Sequence, residues 1–304
     1  MSSPSLPLHR FRQEHMATTF EIHIAHENAT YARQASLAAF QTTARMEKLL
    51  SRYRDGSEIS QLRLLAPGET LRLNVDTFSC LQLASEMQQA TGGAFDPGLG
   101  AQMDVTRSEA RASSKVTGEP RGQLVLEPES FSARCLRAPV NLDLGAIGKG
   151  FTLDRMAEDL KEWDIAHALL ISGGSSILAL GGPGPEDTSA WEITVAGWHR
   201  ILLRNGSVGS SGMAVKGAHI LDPRDGTPAQ GACRAWALAP SAAISDALST
   251  AWMLLDAREI QEVCRNIPQV RAILQASEEK PRELIQVVAD RIFPLDDSSQ
   301  NYAG

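Results

Sequence analysis

A succession of short strand-like segments between residues 122 and 208 constrains the fold more than any other feature of the chain. GQLVLE, HALLISGG, SILALGG, WEITVAG and HRILLRNGSV follow one another at short intervals, and a single amphipathic helix pattern, from about Lys149 to Trp163, interrupts them. A doubly wound parallel sheet needs a helix between successive strands. The pattern therefore predicts an α+β fold with mixed or antiparallel sheets and flanking helices.

The remaining segments add helices on either side of this region. FEIHIAH alternates like a strand and is followed by a long helix pattern in TYARQASLAAFQTTARMEKLLSRY. A second helix begins at the Asp76/Thr77 cap signal and ends at Gly92 and Gly93. Residues 106–122 are polar and predict a surface excursion.

The C-terminal part predicts helices in ISDALSTAWMLLD and AREIQEVCRN, then strands in RAILQAS and LIQVVAD. The chain contains no internal repeat and no low-complexity linker. We therefore expect an N-terminal extension over residues 1–14 and one domain over residues 15–304.

Composition and charge exclude several classes of function. The net charge of -7 comes from scattered acids, and no block of lysine or arginine marks a nucleic-acid surface. The four cysteines are far apart, which argues against a zinc site and a disulfide framework and predicts buried thiols. The sequence as it stands shows neither a leader nor a membrane-spanning run, so we expect a cytoplasmic protein, or a periplasmic one if a leader has been removed.

The stretch NLDLGAIGKG, residues 141–150, places glycines around one carboxylate and one lysine where a strand runs into a helix. It matches neither the Walker loop nor the GxGxxG dinucleotide fingerprint. A glycine turn at a helix start nevertheless exposes N–H groups, and the helix dipole and Lys149 add positive potential. The stretch suits an anion, but the glycines are equally expected if they only let strand and helix pack closely.

HILDPRDGTP places His219 near Asp222 at the end of a short strand. A histidine beside a carboxylate can titrate near neutral pH and move a proton. The alternatives are that His219 is a hydrogen-bonded core residue and that Asp222 opens an Asp-Pro turn.

In AISDALSTAWMLL, Asp246 and Thr250 are four residues apart and share one helix face. A carboxylate and a hydroxyl form half of a hard-cation site, and Mg²⁺ completes its shell with water or substrate phosphate. The alternative is that Asp246 caps the helix and Thr250 packs in the core. Elsewhere, Tyr53 in LSRYRDGSEIS and Phe95 in TGGAFDP are candidate flat partners for a ring ligand.

Taken in order, HMATTFEI, LSRYRDGSEIS, TGGAFDP, LDLGAIGKGFTLD, LLISGGSSILALG, SSG, HILDPRDGTP and SDALSTAWMLL resemble the ApbE-like family of FAD:protein FMN transferases. The resemblance spans roughly residues 15 to 255. It implies the α+β fold of that family and a cleft for FAD.

The resemblance also implies roles for individual residues. The positions that match flavin or adenine contacts of the family are Met16, Tyr53, Ala94, Phe95, Asp96 and Asp143. Lys149 would lie near the diphosphate and is counted with the catalytic groups. The Ala146 carbonyl, Asp246 and Thr250 match the magnesium ligands. His219, with Asp222 beside it, matches the catalytic histidine motif.

The implied reaction is Mg²⁺-dependent transfer of FMN from FAD to a threonine of a partner protein, with release of AMP. His219 would accept the threonine proton. Two alternatives remain open: a FAD diphosphatase that produces FMN and AMP, and a FAD-binding protein without turnover. Neither the acceptor protein nor the oligomeric state can be predicted.

The sequence departs from the family pattern at three places. Only MAVKGA separates SSG from His219, where the family has a longer Tyr-containing hairpin. GGSS stands where the family has GGD or GGN, and Arg63 stands where an asparagine is expected. These differences bear on acceptor choice and on the balance between transfer and hydrolysis.

Overall fold

The computed structural model describes residues 6–98, 122–184, 186, 189–212, 222–225, 227 and 231–295, and the backbone of 301–303. The helices in these ranges are α1 (Ala29–Leu50), α2 (Glu58–Leu62), α3 (Val75–Ala90), α4 (Gly148–Glu162), α5 (Ala242–Ala251) and α6 (Ala257–Asn266). None of them combines the length and the apolar composition that a membrane span requires.

The strands in the same ranges are β1 (Leu8–His15), β2 (Thr18–Ala25), β3 (Thr70–Arg72), β4 (Gln123–Glu127), β5 (Ser132–Arg137), β6 (Ala168–Ser172), β7 (Ser176–Leu180), β8 (Trp191–Val195), β9 (His199–Leu203), β10 (Gly206–Gly212), β11 (Arg234–Ala239), β12 (Arg271–Gln275), β13 (Leu284–Val287), β14 (Ile292–Leu295) and β15 (Asn301–Ala303).

The strands form one large sheet and two small ones. Nine strands lie in the order β1-β2-β6-β7-β10-β11-β12-β13-β14, and every neighbouring pair is antiparallel. The small sheets have the orders β15-β9-β8 and β3-β5-β4. Of the strand pairs in the described ranges, only β15–β9 is parallel. The predicted α+β fold with mixed and antiparallel sheets is confirmed.

Successive side chains of each strand point to opposite faces of the sheet, and this alternation divides the core into layers. On one face of the large sheet, Phe20 and Ile22 of β2 pack with α1 and α4. On the other face, Leu169 of β6 and Trp236 of β11 pack against Ile201 of the small β15-β9-β8 sheet. A third cluster joins α3, α5 and α6 to the β3-β5-β4 sheet. The site described below lies where α4 and α5 meet the large sheet.

Several helix boundaries agree with the sequence prediction. α4 and α6 begin and end within one residue of the predicted positions, and α3 ends before Gly92 and Gly93, which both have positive φ. The cap of α3 differs, because Asn74 rather than Asp76 or Thr77 accepts the first-turn N–H. The predicted excursion over residues 106–122 lies almost entirely outside the described residues.

The N-terminal segment contains the first strand of the large sheet. Residues Leu8–His15 form β1 and pair with β2 along their whole length. Most of β1 therefore falls within residues 1–14. The prediction that the thiols are buried is confirmed for all four cysteines. Burial raises the pKa of Cys80 and of Cys264 to about 12, so these thiols stay protonated and unreactive at neutral pH.

Candidate functional site

The glycine-rich stretch NLDLGAIGKG forms a turn that runs directly into α4. Ile147 is the N-cap residue and its side chain gives no cap hydrogen bond, so the first-turn N–H groups need other acceptors. One of them, the Gly150 N–H, donates to Asp246 Oδ2 at 2.8 Å. The helix start therefore faces a carboxylate from another element of the fold.

Asp246 lies inside α5 and is only 5% exposed. Its Oδ2 accepts hydrogen bonds from the Gly150 N–H and from Ser176 Oγ, both at 2.8 Å. The N-cap of α5 is Ser241, so the alternative reading of Asp246 as a helix cap is wrong. The carboxylate instead joins α5 to the start of α4 and to β7.

Thr250 lies one turn beyond Asp246 on α5. Its Oγ1 is 3.3 Å from Ser211 Oγ of β10, and Ser249 Oγ is 3.1 Å from the same serine oxygen. Asp246 and Thr250 thus both turn toward the large sheet, as the spacing predicted. Neither of the two contacting serines, Ser176 and Ser211, was assigned a role from sequence, because each meets its partner only through the tertiary fold.

Close packing of α4 against α5 fixes the position of Asp246. A Cβ placed at Gly150 would lie 2.1 Å from the Ala242 carbonyl oxygen, so only glycine fits there. Farther along α4, Asp154 accepts hydrogen bonds from Ser241 Oγ and from the N–H groups of Ala242 and Ala243. Burial raises the pKa of Asp154 above its usual range in spite of these bonds. The two helices are therefore joined at two levels.

Lys149 extends from the start of α4 toward the loop between β6 and β7. Its Nζ donates to Ser175 Oγ at 2.9 Å, and Gly173 and Gly174 give that loop its tight turn with positive φ. The GGSS sequence thus supplies both a partner for Lys149, through Ser175, and a partner for Asp246, through Ser176. The positive charge predicted near the helix start lies there.

Asp143 organises the turn that precedes α4. Its Oδ1 accepts from the Gly145 N–H at 2.8 Å, and its Oδ2 accepts from Arg52 Nη1 at the same distance. The Asp143 N–H donates to the Pro97 carbonyl oxygen, which connects the turn to the AFDP segment. Arg52, only 10% exposed, was not assigned a role from sequence even though it precedes Tyr53 in the LSRY segment. Asp143 therefore joins the glycine turn to Arg52 through its carboxylate and to the AFDP segment through its backbone N–H.

The candidate ring partners occupy two different environments. Tyr53 is 65% exposed, and the Arg52 guanidinium lies 5.3 Å from its ring centre. Phe95 is 2% exposed and belongs to the core with Ala94, while Asp96 Oδ1 accepts from the Gly98 N–H in a turn. The Tyr53 ring can contact a ligand from solvent, whereas the Phe95 ring supports the turn from inside.

Met16 approaches α4 from the turn between β1 and β2. Met16 and Ala17 both have positive φ, and Met16 Sδ accepts a hydrogen bond from Thr152 Oγ1 at 3.5 Å. A Cβ placed at Gly148 would lie 3.7 Å from Met16 Cε. The N-terminal hairpin thus reaches the glycine turn.

Asp222 lies in a separate turn and pairs with a cation. Arg224 donates to both oxygens of Asp222, and its Nη1 is 3.0 Å from Glu259 Oε1. The Arg224 hydrogen bonds hold the pKa of Asp222 below its usual range. His219 lies outside the described residues. Arg224, which stands in the same DPRDG segment, was not assigned a role from sequence.

The candidate metal ligands come from two elements of the fold. Ala146 stands in the turn before α4, whereas Asp246 and Thr250 lie on α5. A carboxylate, a hydroxyl and a backbone carbonyl are the donors that Mg²⁺ prefers. In the described part of the chain no group of three or more His, Cys, Asp or Glu side chains could hold a metal ion. The donor set therefore fits a hard cation whose shell is completed by water or a phosphate.

Comparisons with known proteins agree with this architecture. The model of the ApbE family matches residues 16–274. A FAD:protein FMN transferase of Treponema pallidum (strain Nichols) is 27% identical over 303 residues, covering 84% of this chain and 81% of that protein. The FAD:protein FMN transferase of Rhodobacter capsulatus is 26% identical over 242 residues, covering 71% of this chain and 45% of that protein.

Solved structures show the same fold. The apo form of Pseudomonas stutzeri flavinyl transferase ApbE matches with a TM-score of 0.76 at 19% identity, covering 98% of each chain. Flavin transferase ApbE from Vibrio cholerae matches with a TM-score of 0.73 at 18% identity, covering 96% of this chain and 98% of the other. With the family match extending over most of its length, this chain belongs to the ApbE family.

Proposed function

We propose that this protein is a transferase that moves FMN from FAD to a side chain of an acceptor protein and releases AMP. The observation that carries the proposal is the hydrogen bond between the Gly150 N–H and Asp246 Oδ2, at 2.8 Å. It joins a helix N-terminus, where phosphate binds well, to a carboxylate that can hold a cation. A diphosphate substrate with a metal ion needs both features in one place. The curated relatives named above carry the same activity in their names.

The Ala146 carbonyl, Asp246 and Thr250 would hold the cation, Mg²⁺. It would supply positive charge that neutralises the diphosphate and the departing AMP. The chain contributes the geometry. Asp246 is oriented by Gly150 and Ser176, and Thr250 is held beside Ser211. Lys149 adds a second positive charge on the side of the Gly173–Gly174 turn.

FAD binds in the cleft between the glycine turn, the N-terminal hairpin and the AFDP segment. Tyr53 offers an exposed ring for stacking, and Met16 lies against the glycine turn. Arg52 and Asp143 keep the turn in place through their ion pair. Ala94, Phe95 and Asp96 form the AFDP side of this cleft, and the buried Phe95 ring supports that side from inside.

The acceptor is a threonine of a partner protein. Its hydroxyl oxygen attacks the phosphorus on the FMN side, the bond from that phosphorus to the bridging oxygen breaks, and AMP leaves with that oxygen. His219 accepts the hydroxyl proton, and Asp222 and its Arg224 partner form the turn that follows. His219→Ala is expected to leave FAD affinity unchanged and to slow transfer by about 10²–10⁴-fold.

One sequence feature favours a second candidate function. The short MAVKGA segment before His219 leaves less chain to build the acceptor wall of the cleft. Water could then take the place of the threonine hydroxyl, which would make the protein a FAD diphosphatase that releases free FMN.

The experiment that tests these functions is an incubation of the protein with FAD and Mg²⁺, with and without a threonine-bearing acceptor. Chromatography separates FAD, FMN and AMP, and gel fluorescence detects flavin fixed to the acceptor. AMP together with flavinylated acceptor supports the transferase. AMP with free FMN supports the diphosphatase, and unchanged FAD in both samples would leave only flavin binding. Replacing the acceptor threonine by alanine tests the acceptor residue.

A further inference from the structure

Ser176, the first residue of β7, directs its side chain toward Asp246. Its side chain is completely buried, and its Oγ donates to Asp246 Oδ2 at 2.8 Å. The Gly150 N–H donates to the same oxygen from α4. Two neutral donors from two different elements therefore converge on one oxygen of one buried carboxylate.

This convergence fixes the rotation of the carboxylate. A carboxylate oxygen has about two acceptor positions, and both positions of Oδ2 are used by Gly150 and Ser176. A cation bound by Asp246 would meet a carboxylate whose orientation these two hydrogen bonds restrict. Because the donors are neutral, they stabilise the ionised carboxylate without bringing a positive charge that would repel the cation.

We propose that Ser176 is a positioning residue that sets the orientation of Asp246 for the metal. The inference rests on the proposed function, since it assigns Asp246 to a metal ion. Ser176 itself is completely buried. It acts through Asp246, as outer-shell donors do in metal sites generally.

A glycine in β10, the strand beside β7, allows α5 to pack closely against the sheet. Gly209 of β10 pairs directly with Ser176 across the sheet. A Cβ at Gly209 would lie 2.3 Å from the Ser245 carbonyl oxygen and 2.7 Å from the Asp246 nitrogen. The absence of a side chain at Gly209 lets the α5 backbone approach the sheet, which brings Asp246 within reach of Ser176.

The neighbouring strand provides a matched comparison. Ser172 of β6 pairs with Ser176 and is equally buried, but its Oγ makes no hydrogen bond within the described part of the chain. Ser172→Ala and Ser176→Ala remove the same atom from the same depth of the sheet. They differ in whether the lost hydroxyl contacts Asp246.

The test measures metal affinity rather than turnover. Mn²⁺ binding to the purified protein is titrated by electron paramagnetic resonance in the presence of ADP, which carries a diphosphate but no flavin to transfer. Ser176→Ala is expected to weaken Mn²⁺ binding by about 10–100-fold. Ser172→Ala is expected to bind Mn²⁺ as the wild type does. FAD affinity in EDTA and the unfolding midpoint in EDTA are measured for both variants.

The outcomes separate a positioning role from a general packing role. Wild-type Mn²⁺ affinity in Ser176→Ala would overturn the proposal. Equal losses of metal affinity, FAD affinity and thermal stability would also overturn it, because they indicate a packing defect. An Asp246→Asn variant that binds Mn²⁺ as well as the wild type would instead refute the metal site of the proposed function, whatever Ser176 does.

Discussion

Gly150→Ala tests how tightly the packing of α4 against α5 controls the site. The added Cβ would lie 2.1 Å from the Ala242 carbonyl oxygen, whereas real Cβ contacts stay above 3.0 Å. The two helices must therefore separate by roughly 1 Å to accept alanine. A shift of this size away from α5 would stretch the 2.8 Å bond from the Gly150 N–H to Asp246 beyond hydrogen-bonding distance.

The expected cost follows from these contacts. Overpacking costs about 1–3 kcal/mol, and losing a hydrogen bond to a charged group costs about 1.5–3 kcal/mol. The higher helix propensity of alanine offsets at most about 1 kcal/mol. A net loss of about 2–4 kcal/mol corresponds to a fall of roughly 3–6 °C in the melting temperature of a chain of this length.

The same helix contains a control position. A Cβ at Gly148 would have its nearest neighbours, Leu144 Cβ and Met16 Cε, at 3.7 Å, which is ordinary contact. Gly148→Ala is therefore expected to melt at or slightly above the wild-type temperature. Calorimetry in EDTA and without nucleotide measures both variants. If Gly150→Ala has the same melting temperature as Gly148→Ala, the packing of α4 on α5 is looser than the structure indicates and the reasoning is refuted.

Three further changes test separate parts of the molecule. Asp246→Asn should lower metal-dependent turnover far more than FAD affinity, and equal losses in kinetic and binding assays would contradict its role as a metal ligand. Arg224→Gln should cost about 1 kcal/mol at pH 7 in urea unfolding. Because the pKa of Asp222 is lowered in the folded state, this contribution is present above the ordinary pKa of an aspartate and is lost as the pH falls below it, so the stabilities of the variant and the wild type should converge in acid. Asp256→Ala removes the capping box of α6 and should cost about 1 kcal/mol, with no change in flavin binding.

Periodicity predicted the helices that carry the site. The 3.6-residue repeat located α4 and α6 almost to the residue, and the spacing of Asp246 and Thr250 correctly placed both on one face of α5. Local sequence also showed that the glycine turn enters a helix, because glycine and helix signals act over a few neighbouring residues.

Edge strands were harder to predict because few of their side chains are buried. β1 contains only Leu8 and Phe11 as large apolar residues among charged ones, and Leu8 is exposed. β14 contains Pro294, which argues against a strand but is tolerated at the edge of a sheet, where β14 lies. Neither segment has the apolar alternation of an interior strand.

The partners of the site residues depend on tertiary contacts. Ser176 meets Asp246 across 70 residues of sequence, and Arg52 meets Asp143 across 91. A serine in GGSS or an arginine before a tyrosine has no local signature that identifies such a partner. The sequence therefore predicts which segments form the cleft, whereas the contacts that orient them become visible only in the fold.

The strand order of the large sheet also dictates when this site can form during synthesis. β2 pairs with β6, so the strand that contains Phe20 gains its second neighbour only after Ser172 has been synthesised. At ribosomal rates of about 5–20 residues per second, synthesis of the intervening chain takes roughly 10–30 s. Asp246 emerges later still. The N-terminal hairpin therefore spends this period without its main partner, and a chain truncated before α5 would contain the glycine turn but no acceptor for the Gly150 N–H. Contacts so distant in sequence make folding slow and leave the nascent chain dependent on protection from aggregation.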